Sequence, residues 1–384
     1  MKKSTVLLII ISVISLCNKN AKAQYQTFYH KGIIRNYIVH LPPLLPPDSP
    51  LVFLLHGYGG TPLDIINYSG MNDVADANHF AVCYPEGTTD NLNRHCWNLK
   101  YDFQIGMTAD DVDFLDSLAF YLQTRYNFDP EKTFCSGHSN GGDMCYRIAC
   151  QDAGNFKAVA SVSGCLMKWI HDSCTSVNPI PVFEIHGTDD RTTFWNGDMG
   201  NLQGYGPYYS VPFTFDFWDS VNNCQNEIID TLPDLDPTDG SIVISDKKID
   251  GINGNQVWLY KELRGGHGWP GSGGYGTNMD INTSSEIWSF FQTYNTVTTQ
   301  KEPDRYIQEE VITSPNPSKE SVKITLWTFV KPLPFEVFDL YGKSLIKGEL
   351  NSRETVIDIS LLAKGIYLLK VSENYSKTIK IIKG

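Results

Sequence analysis

The stretch from Thr133 to Cys150 constrains the fold more than any other part of this sequence, because it reads as a short buried strand, a tight turn and a helix. Its centre, residues 137–141, reads G-H-S-N-G, a G-x-S-x-G motif. Between a strand and a helix this motif lifts the serine hydroxyl above the sheet, and the glycines leave room where a Cβ would clash. The pattern therefore predicts Ser139 as a nucleophile, whereas a chance serine in a glycine-rich turn would lack this context.

Apolar runs that alternate with helical patterns surround this stretch. Continuous apolar runs are typical of strands buried on both faces of a parallel sheet. They occupy residues 51–55, 80–84, 133–136, 158–162, 181–185 and 257–260. Helices are expected over residues 110–126, 211–221 and 283–294, the last opened by a Thr283-x-x-Glu286 capping box, and a hairpin is expected over residues 25–41. The alternation predicts an α/β fold with a mostly parallel, doubly wound sheet.

Chain order then restricts the partners of Ser139. In such hydrolase sheets the catalytic residues follow the order serine, acid, histidine. Of nine histidines only His267 lies beyond the strand that precedes Asp190, so His267 is the predicted base. Asp189 and Asp190 both qualify as the acid. Asp190 is preferred because a residue one step further into the loop can turn back towards His267, which leaves Asp189 to cap the loop or pair with Arg191.

These residue types predict acyl transfer. His267 would remove the Ser139 proton while the hydroxyl attacks an ester carbonyl, and Asp190 would orient the imidazole. The oxyanion needs two N–H donors, which are expected from the backbones of Asn140 and Tyr58. The histidine of the same HGYGG loop, residue 56, is expected to fix that loop rather than to act in catalysis.

Aromatic residues crowd the segment from 192 to 218. Phe215 and Trp218 are expected in the core, whereas residues 205–209 are open between the core and a pocket for an aromatic or sugar-bearing substrate. Trp195 and Trp269 are the candidate substrate contacts. No cofactor is expected.

A metal site is not expected, because the chain has neither a C-x-x-C pair nor a histidine cluster. The acidic segment D-L-D-P-T-D-G (residues 234–240) misses the calcium-loop spacing and is expected to form Asx and proline turns.

The N-terminus has the features of an export signal. Residues 1–23 combine a basic start at Lys2 and Lys3, an apolar core and an A-x-A cleavage site, and the apolar run falls short of the about 18 residues of a membrane span. Eight of the nine cysteines remain after this segment, and an even number in an exported protein suggests disulfides. Cys165 and Cys174 could close a small loop, although sequence does not fix the pairing. The net charge of −12 argues against a nucleic-acid partner.

The chain changes character near its C-terminus. Residues 296–312 are polar and lack periodicity, which predicts a linker between a catalytic domain (24–295) and a second domain (313–384). The second segment has no cysteine and a net charge of +4. Its alternating runs predict a small all-β sandwich, with strands over 322–326, 335–340, 355–359, 366–371 and 378–382.

The motifs together resemble a known group of enzymes. They are LLHGYGG (54–60), DDVDFL (110–115), DPEKTFCSGHSNGG (129–142), HGTDD (186–190), WDSVNNC (218–224), LPDLDPTDGS (232–241) and GGHGWPG (265–271). The resemblance is to the secreted polyhydroxybutyrate depolymerase and feruloyl esterase group of α/β-hydrolases, akin to carbohydrate esterase family one. It implies Ser139, Asp190 and His267 as the triad. Gly268 stands where the group usually has threonine.

The tail resembles a C-terminal sorting domain of the type IX secretion system. The carrying motifs are SPNPS (314–318), FDLYGK (338–343), IDIS (357–360) and LAKGIYLLKV (362–371). The resemblance implies export by that machinery, removal of the tail, and release or surface attachment. A carbohydrate-binding module is the alternative, but Trp327 and Tyr375 are almost its only candidate aromatic residues.

The leading hypothesis is a secreted serine esterase that acts on feruloyl or acetyl esters of plant polysaccharides. An extracellular polyester depolymerase shares all of its chemistry and differs in pocket shape. A serine peptidase and a non-catalytic surface-binding protein are the remaining alternatives. A peptidase usually needs substrate-gating domains that this chain lacks, and a binding scaffold has no need of an ordered triad.

Overall fold

The computed structural model describes residues 24–151, 154–174, 178–273, 277–295, 311–326, 332–340, 342–352, 354–371 and 378–384. The predicted signal peptide, most of the predicted linker, Trp327 and Tyr375 lie outside the described residues. Among the residues described, no helix is long and apolar enough to cross a membrane.

The first part of the chain alternates strands and helices. Its strands are β1 (Gln26–His30), β2 (Ile33–His40), β3 (Leu51–Leu55), β4 (Ala81–Pro85), β5 (Thr88–Thr89), β6 (His95–Cys96), β7 (Thr133–His138), β8 (Val159–Val162), β9 (Val182–Gly187), β10 (Asn226–Thr231), β11 (Ile242–Ile249) and β12 (Val257–Leu263). Its helices are α1 (Pro62–Ser69), α2 (Met71–Asn78), α3 (Asp111–Tyr126), α4 (Asn140–Gln151), α5 (Lys168–Ser173), α6 (Val211–Asn222) and α7 (Thr283–Gln292).

Ten of these strands form one sheet in the order β1-β2-β4-β3-β7-β8-β9-β12-β11-β10. The six central strands, β4 to β12 in that order, pair in parallel, and the strands outside them pair antiparallel. Parallel neighbours need crossover connections, which the helices supply. The predicted mostly parallel, doubly wound α/β sheet is confirmed.

Each face of the sheet has its own apolar core, as strand β3 shows. All five residues of β3 are buried, with Phe53 in one core and its neighbours Val52 and Leu54 in the other. The core around Phe53 also holds Leu115 of α3 and Trp218 of α6, while the opposite core holds residues of α1, α2 and α7. Successive strand residues point to opposite faces. A continuous apolar run therefore produces a strand covered on both sides.

Helix α3 shows how local signals set the element boundaries. The carboxylate of Asp110 accepts the N–H of Asp113 at the N-cap, and Asn127 ends the helix in a left-handed conformation with φ 55°. Asparagine tolerates that conformation better than most residues. The helix therefore begins one residue later than predicted.

The closing helix corrects a prediction. Thr283 is the first helical residue of α7 rather than its N-cap, and Asn282 caps the helix by accepting the N–H of Ser285. The buried hydroxyl of Thr283 has no hydrogen-bond partner among the described residues. The predicted Thr283-x-x-Glu286 capping box is therefore wrong, because the helix starts one residue earlier than the box requires.

The disulfide suggestion is also corrected. Cys150 is bonded to Cys174, whereas Cys165 is a buried free thiol beside Asp143. The other five cysteines of the described residues beyond the signal segment are also free. The even count therefore did not predict the number of disulfides.

The C-terminal segment contains two antiparallel sheets. Its strands are β13 (Val311–Ser314), β14 (Ser321–Leu326), β15 (Leu333–Phe338), β16 (Ser344–Leu350), β17 (Glu354–Asp358), β18 (Gly365–Val371) and β19 (Thr378–Lys383). The sheet orders are β13-β14-β17 and β16-β15-β18-β19. Ile324 from the first sheet and Leu369 from the second belong to one apolar core. The predicted small all-β sandwich is confirmed.

Candidate active site

Ser139 stands at the turn between strand β7 and helix α4. Its φ is 54°, in the left-handed region that L residues avoid, and its N–H donates to the carbonyl of Val162 at 2.8 Å. A Cβ on Gly137 would lie 2.3 Å from the carbonyl oxygen of Gly141, and one on Gly141 would lie 2.4 Å from that of Leu55. Both contacts are too short for a side chain, so the two glycines of the motif allow the strained turn.

The structure brings Ser139, His267 and Asp190 together. His267 Nε2 lies 2.9 Å from Ser139 Oγ, and His267 Nδ1 lies 2.7 Å from Asp190 Oδ2. Asp190 follows β9 and His267 follows β12, which are neighbouring parallel strands. Because parallel strands end at the same edge of a sheet, residues 77 positions apart meet over the elbow.

Asp190, rather than Asp189, faces the imidazole. Asp190 is 4% exposed, and its Oδ1 accepts the backbone N–H groups of Thr192 at 2.7 Å and Thr193 at 2.9 Å. Burial alone would raise the pKa of Asp190, but the hydrogen bond and charge of His267 and the charge of His186 outweigh it, and the pKa is lowered. Asp189 is exposed. Asp190 is thus held as a carboxylate that can orient the His267 ring.

A second histidine lies behind the acid and was not predicted to have a role. His186 is fully buried, with Nδ1 2.8 Å from Glu184 Oε1 and Nε2 2.9 Å from the carbonyl oxygen of Thr193. Nε2 also lies 3.4 Å from Asp190 Oδ2. Burial lowers the pKa of His186, but the hydrogen bond and charge of Glu184 and the charge of Asp190 raise it to about 9. Because both ring nitrogens face acceptors, His186 is an imidazolium. The only sequence signal for it was its place in the HGTDD motif.

The residue before the nucleophile is a neutral histidine. Burial, with the neighbouring charge of His267, lowers the pKa of His138 to about 3. Its Nδ1 accepts the hydroxyl of Tyr68 at 3.2 Å, and its buried Nε2 has no hydrogen-bond partner among the described residues. Its ring centroid lies 5.1 Å from that of His267. The His138 ring therefore supports the His267 imidazole from the side without carrying charge.

The two expected oxyanion donors border Ser139. Asn140 is the first residue of α4, where backbone N–H groups lack an intrahelical acceptor. A Cβ on Gly57 would lie 3.4 Å from Ser139 Cβ, so the loop that carries Tyr58 lies against the nucleophile. This placement supports the backbone N–H groups of Asn140 and Tyr58 as the donors.

The neighbouring His56 holds this loop, as the sequence predicted. Its ring is buried, which lowers its pKa to about 4 and keeps it neutral. Nδ1 donates to the carbonyl of Gly57 at 2.8 Å, and Nε2 accepts the N–H of Gly87 at 3.0 Å. These bonds fix the loop beside Ser139.

The two candidate substrate contacts have different surroundings. Trp269 is 2% exposed and packs against Tyr68 and His138, so it offers a substrate almost no surface. Trp195 is partly buried, with its ring 6.2 Å from that of His186 and Lys261 Nζ 5.2 Å from its centroid. Trp195 therefore stays a candidate contact, whereas the position of Trp269 favours a structural role.

No group of three or more metal-ligating side chains occurs among the described residues. In the acidic loop, Asp280 Oδ1 accepts the backbone N–H groups of Leu235 and Asp236, and Asp239 Oδ1 accepts that of Ser241. These carboxylates hold turns, as expected.

A cavity of about 350 Å³ lined by residues 88–91 and 105–109 contains none of the triad residues.

Comparison with known proteins finds two family matches in this chain. Residues 35–183 match the family described as esterase PHB depolymerase. This chain is similar to that family. Residues 314–383 match the secretion system C-terminal sorting domain, which marks the protein for export to the medium or the cell surface.

Three curated relatives each match part of the chain. The bifunctional acetylxylan esterase/xylanase XynS20E of Neocallimastix patriciarum is 28% identical over 225 residues, covering 58% of this chain and 31% of the relative. Feruloyl esterase C of Emericella nidulans is 30% identical over 165 residues, covering 41% and 55%. Poly(3-hydroxyalkanoate) depolymerase C of Paucimonas lemoignei is 24% identical over 276 residues, covering 65% and 64%. The chain thus spans less than two thirds of the length of each relative.

Proposed function

We propose that this protein is a secreted serine esterase that hydrolyses carboxylic esters, with feruloyl or acetyl esters of plant polysaccharides as its substrates. The observation that supports this most directly is the continuous contact from Asp190 through His267 to Ser139 at the strained elbow. A serine hydroxyl is a weak nucleophile unless an adjacent base removes its proton, and this arrangement supplies that base.

The mechanism follows from the positions of the atoms. Ser139 Oγ attacks the ester carbonyl while its proton moves to His267 Nε2, and the oxyanion is stabilised by the backbone N–H groups of Asn140 and Tyr58. The carbon–oxygen bond to the alcohol then breaks, and the alcohol leaves with the proton from His267. Water attacks the acyl-enzyme with the same base, which releases the acid and restores Ser139. Asp190 stabilises the imidazolium in both steps.

A polyester depolymerase is the second candidate. It uses the same bond-breaking steps, and one relative of this chain is a poly(3-hydroxyalkanoate) depolymerase. In either case the C-terminal domain would engage the type IX secretion machinery and be removed at export. The proposed domain boundaries remain residues 24–295 for the catalytic domain and 313–384 for the sorting domain.

The test compares Ser139→Ala with the wild-type chain on methyl ferulate, acetylated xylan and polyhydroxybutyrate film. Loss of the nucleophile should lower kcat by about 10⁶-fold, as removal of a triad serine does elsewhere. Ser285→Ala, at an exposed position, is the matched control and should keep full activity. Activity that survives in Ser139→Ala would refute the assignment, and the best wild-type substrate separates the two candidate functions.

A further inference from the structure

Three aromatic side chains form a half-buried row beside the elbow. Phe103 meets Tyr58 edge to face, with ring centroids 5.2 Å apart, and meets Tyr205 edge to face at 5.9 Å. All three keep part of their surface open to solvent. We call Tyr58, Phe103 and Tyr205 the aromatic row. A fourth ring, Tyr101, is 5.5 Å from Tyr205 but buried, and it supports the row from below.

The row is attached directly to the catalytic elbow. Tyr58 follows Gly57, whose backbone packs on Ser139. The segment that carries Phe103 is fixed to α4 at two points. The N–H of Trp97 donates to Asn140 Oδ1 at 2.8 Å, and the hydroxyl of Tyr101 donates to the carboxylate of Asp143. The row therefore lies on the oxyanion side of Ser139.

The opposite end of the row belongs to the segment from 198 to 209. Asn201 Nδ2 donates to Asp102 Oδ2 at 2.5 Å, which joins this segment to the one that carries Phe103. Asp198 accepts the N–H groups of Leu202 and Gln203, and Asn201 Oδ1 accepts that of Gly206. These bonds hold the two segments together, and a subsite whose parts are already fixed costs less conformational entropy on binding.

The two segments that carry Phe103 and Tyr205 also carry exposed apolar side chains. Ile105 is 74% exposed, and on the facing segment Leu202 is 86% and Met199 50% exposed. Exposed apolar side chains on two joined segments are available for contact with a ligand. An apolar acyl group gains from contact with this surface.

We propose that Phe103 and Tyr205 form the subsite for the acyl group and select a planar aromatic acyl group over an acetyl or aliphatic hydroxyacyl group. This inference rests on the proposed esterase function. An aromatic ring conjugated to the ester carbonyl would extend from Ser139 along the row. There it can meet both side chains at the 4.5–7 Å centroid distances that favour aromatic pairs. An acetyl group carries no ring that could reach them.

The test measures kcat/KM of the full chain for methyl ferulate, methyl acetate and methyl 3-hydroxybutyrate, which share one leaving group. Phe103→Leu and Tyr205→Leu remove the ring and keep apolar volume. Each should lower kcat/KM for methyl ferulate about tenfold and change the other two esters less than about twofold. Tyr205→Phe keeps the ring and should keep the preference. Phe213→Leu, at a 40% exposed phenylalanine of α6, is the matched control.

Parallel losses on all three esters, or unchanged values for methyl ferulate, would overturn the subsite. A wild-type chain that hydrolyses methyl acetate but not methyl ferulate would also overturn it and would leave the esterase function standing. If no ester is hydrolysed, the esterase function fails. Ferulate binding to Ser139→Ala, followed by tryptophan fluorescence, then decides the subsite. Binding that is lost in Phe103→Leu supports it, and no binding overturns it.

Discussion

The large sheet and the C-terminal sheets bury different kinds of residue. Around β9 and β12 the protein buries Glu184, His186, Asp190 and Glu262, all ionisable. In the described part of the C-terminal segment Ser318 is the one buried polar residue, and the rest of its core is apolar. Burying a charge is costly unless it is paired. The difference between the two regions shows that the protein buries ionisable groups, at a cost in free energy, directly behind the triad.

Of these buried groups, the triad acid should have the largest effect on kcat when it is replaced. Asp190→Asn keeps the shape of the side chain but removes its charge, so it no longer stabilises the His267 imidazolium in the correct tautomer. We expect kcat for methyl ferulate to fall about 10⁴-fold, as for the equivalent change in serine proteases. Asp189→Asn, one residue earlier and exposed, is the matched control and should stay near wild type. If Asp189→Asn is the damaging change, the acid has been assigned to the wrong residue.

The apolar core of the C-terminal segment should respond in stability alone. Leu369 is fully buried in the core shared by the two sheets, so Leu369→Ala should cost about 2–5 kcal/mol of its unfolding free energy. Ester hydrolysis should not change. Ile366→Ala, at a 43% exposed position of the same strand, should cost much less. Thermal unfolding and methyl ferulate assays measure both quantities. If Leu369→Ala also lost esterase activity, the C-terminal core would affect catalysis as well as stability, and the two regions would not differ in this respect.

The sequence predicted the central strands, the elbow and the triad partners because each leaves a local or ordered signal. Continuous apolar runs mark strands covered on both faces. The glycines at 137 and 141 mark a turn that no larger residue can make. Chain order left His267 as the single candidate base. Such signals can be recognised in the sequence without knowing which distant residues are in contact.

Other features depend on contacts that sequence does not display. Strand β10 is exposed at every position and lies at the sheet edge, so it carries no apolar pattern. Strands β11 and β16 and helices α1 and α2 were not predicted either. Helix α1 has eight residues, too few for a clear period, although its Thr61–Asp64 capping box was readable. The Cys150–Cys174 disulfide and the role of His186 needed three-dimensional distances.

His186 is a buried cation that contacts the triad acid, so its substitution tests what a charge buried behind the triad contributes to catalysis. The groups that face it are Glu184 and Asp190, with Glu262 on the neighbouring strand. His186→Gln removes the positive charge beside Asp190, and we expect kcat to fall about tenfold with KM little changed. His40→Gln, at a partly exposed pair with Asp76, is the control.

The pH dependence gives His186 a second readout. Its folded pKa of about 9 lies above the ordinary value near 6.5. Its contribution to stability is therefore complete below about pH 6.5 and lost as pH rises through about 9. The wild-type melting temperature should fall over that range, and the fall should be smaller in His186→Gln. An equal fall in both proteins would show that His186 is not charged in the folded state.

Replacing Glu262 should change activity less than replacing Asp190 or His186, because Glu262 lies beneath the His267 loop without touching the triad. A Cβ on Gly265 would lie 2.5 Å from Glu262 Oε2, so the loop backbone packs directly on the carboxyl group. Burial, with the charge of Asp190, raises the pKa of Glu262 to about 8 despite the opposing charge of His186. The side chain is therefore mostly neutral at pH 7.

The raised pKa of Glu262 determines in which direction its substitution should change the stability of the protein. The folded protein holds a proton on Glu262 that the unfolded chain releases near pH 4.5, so this contribution to stability is lost as pH rises from about 4.5 to 8. Glu262→Gln imitates the protonated form and should remove that decline, so the variant should be more stable than the wild type at pH 8. Glu349→Gln, at an exposed position of the C-terminal sheet, should leave the profile unchanged. If Glu262→Gln follows the wild-type curve, the carboxyl group is ionised in the folded protein, and the buried groups behind the triad are all charged.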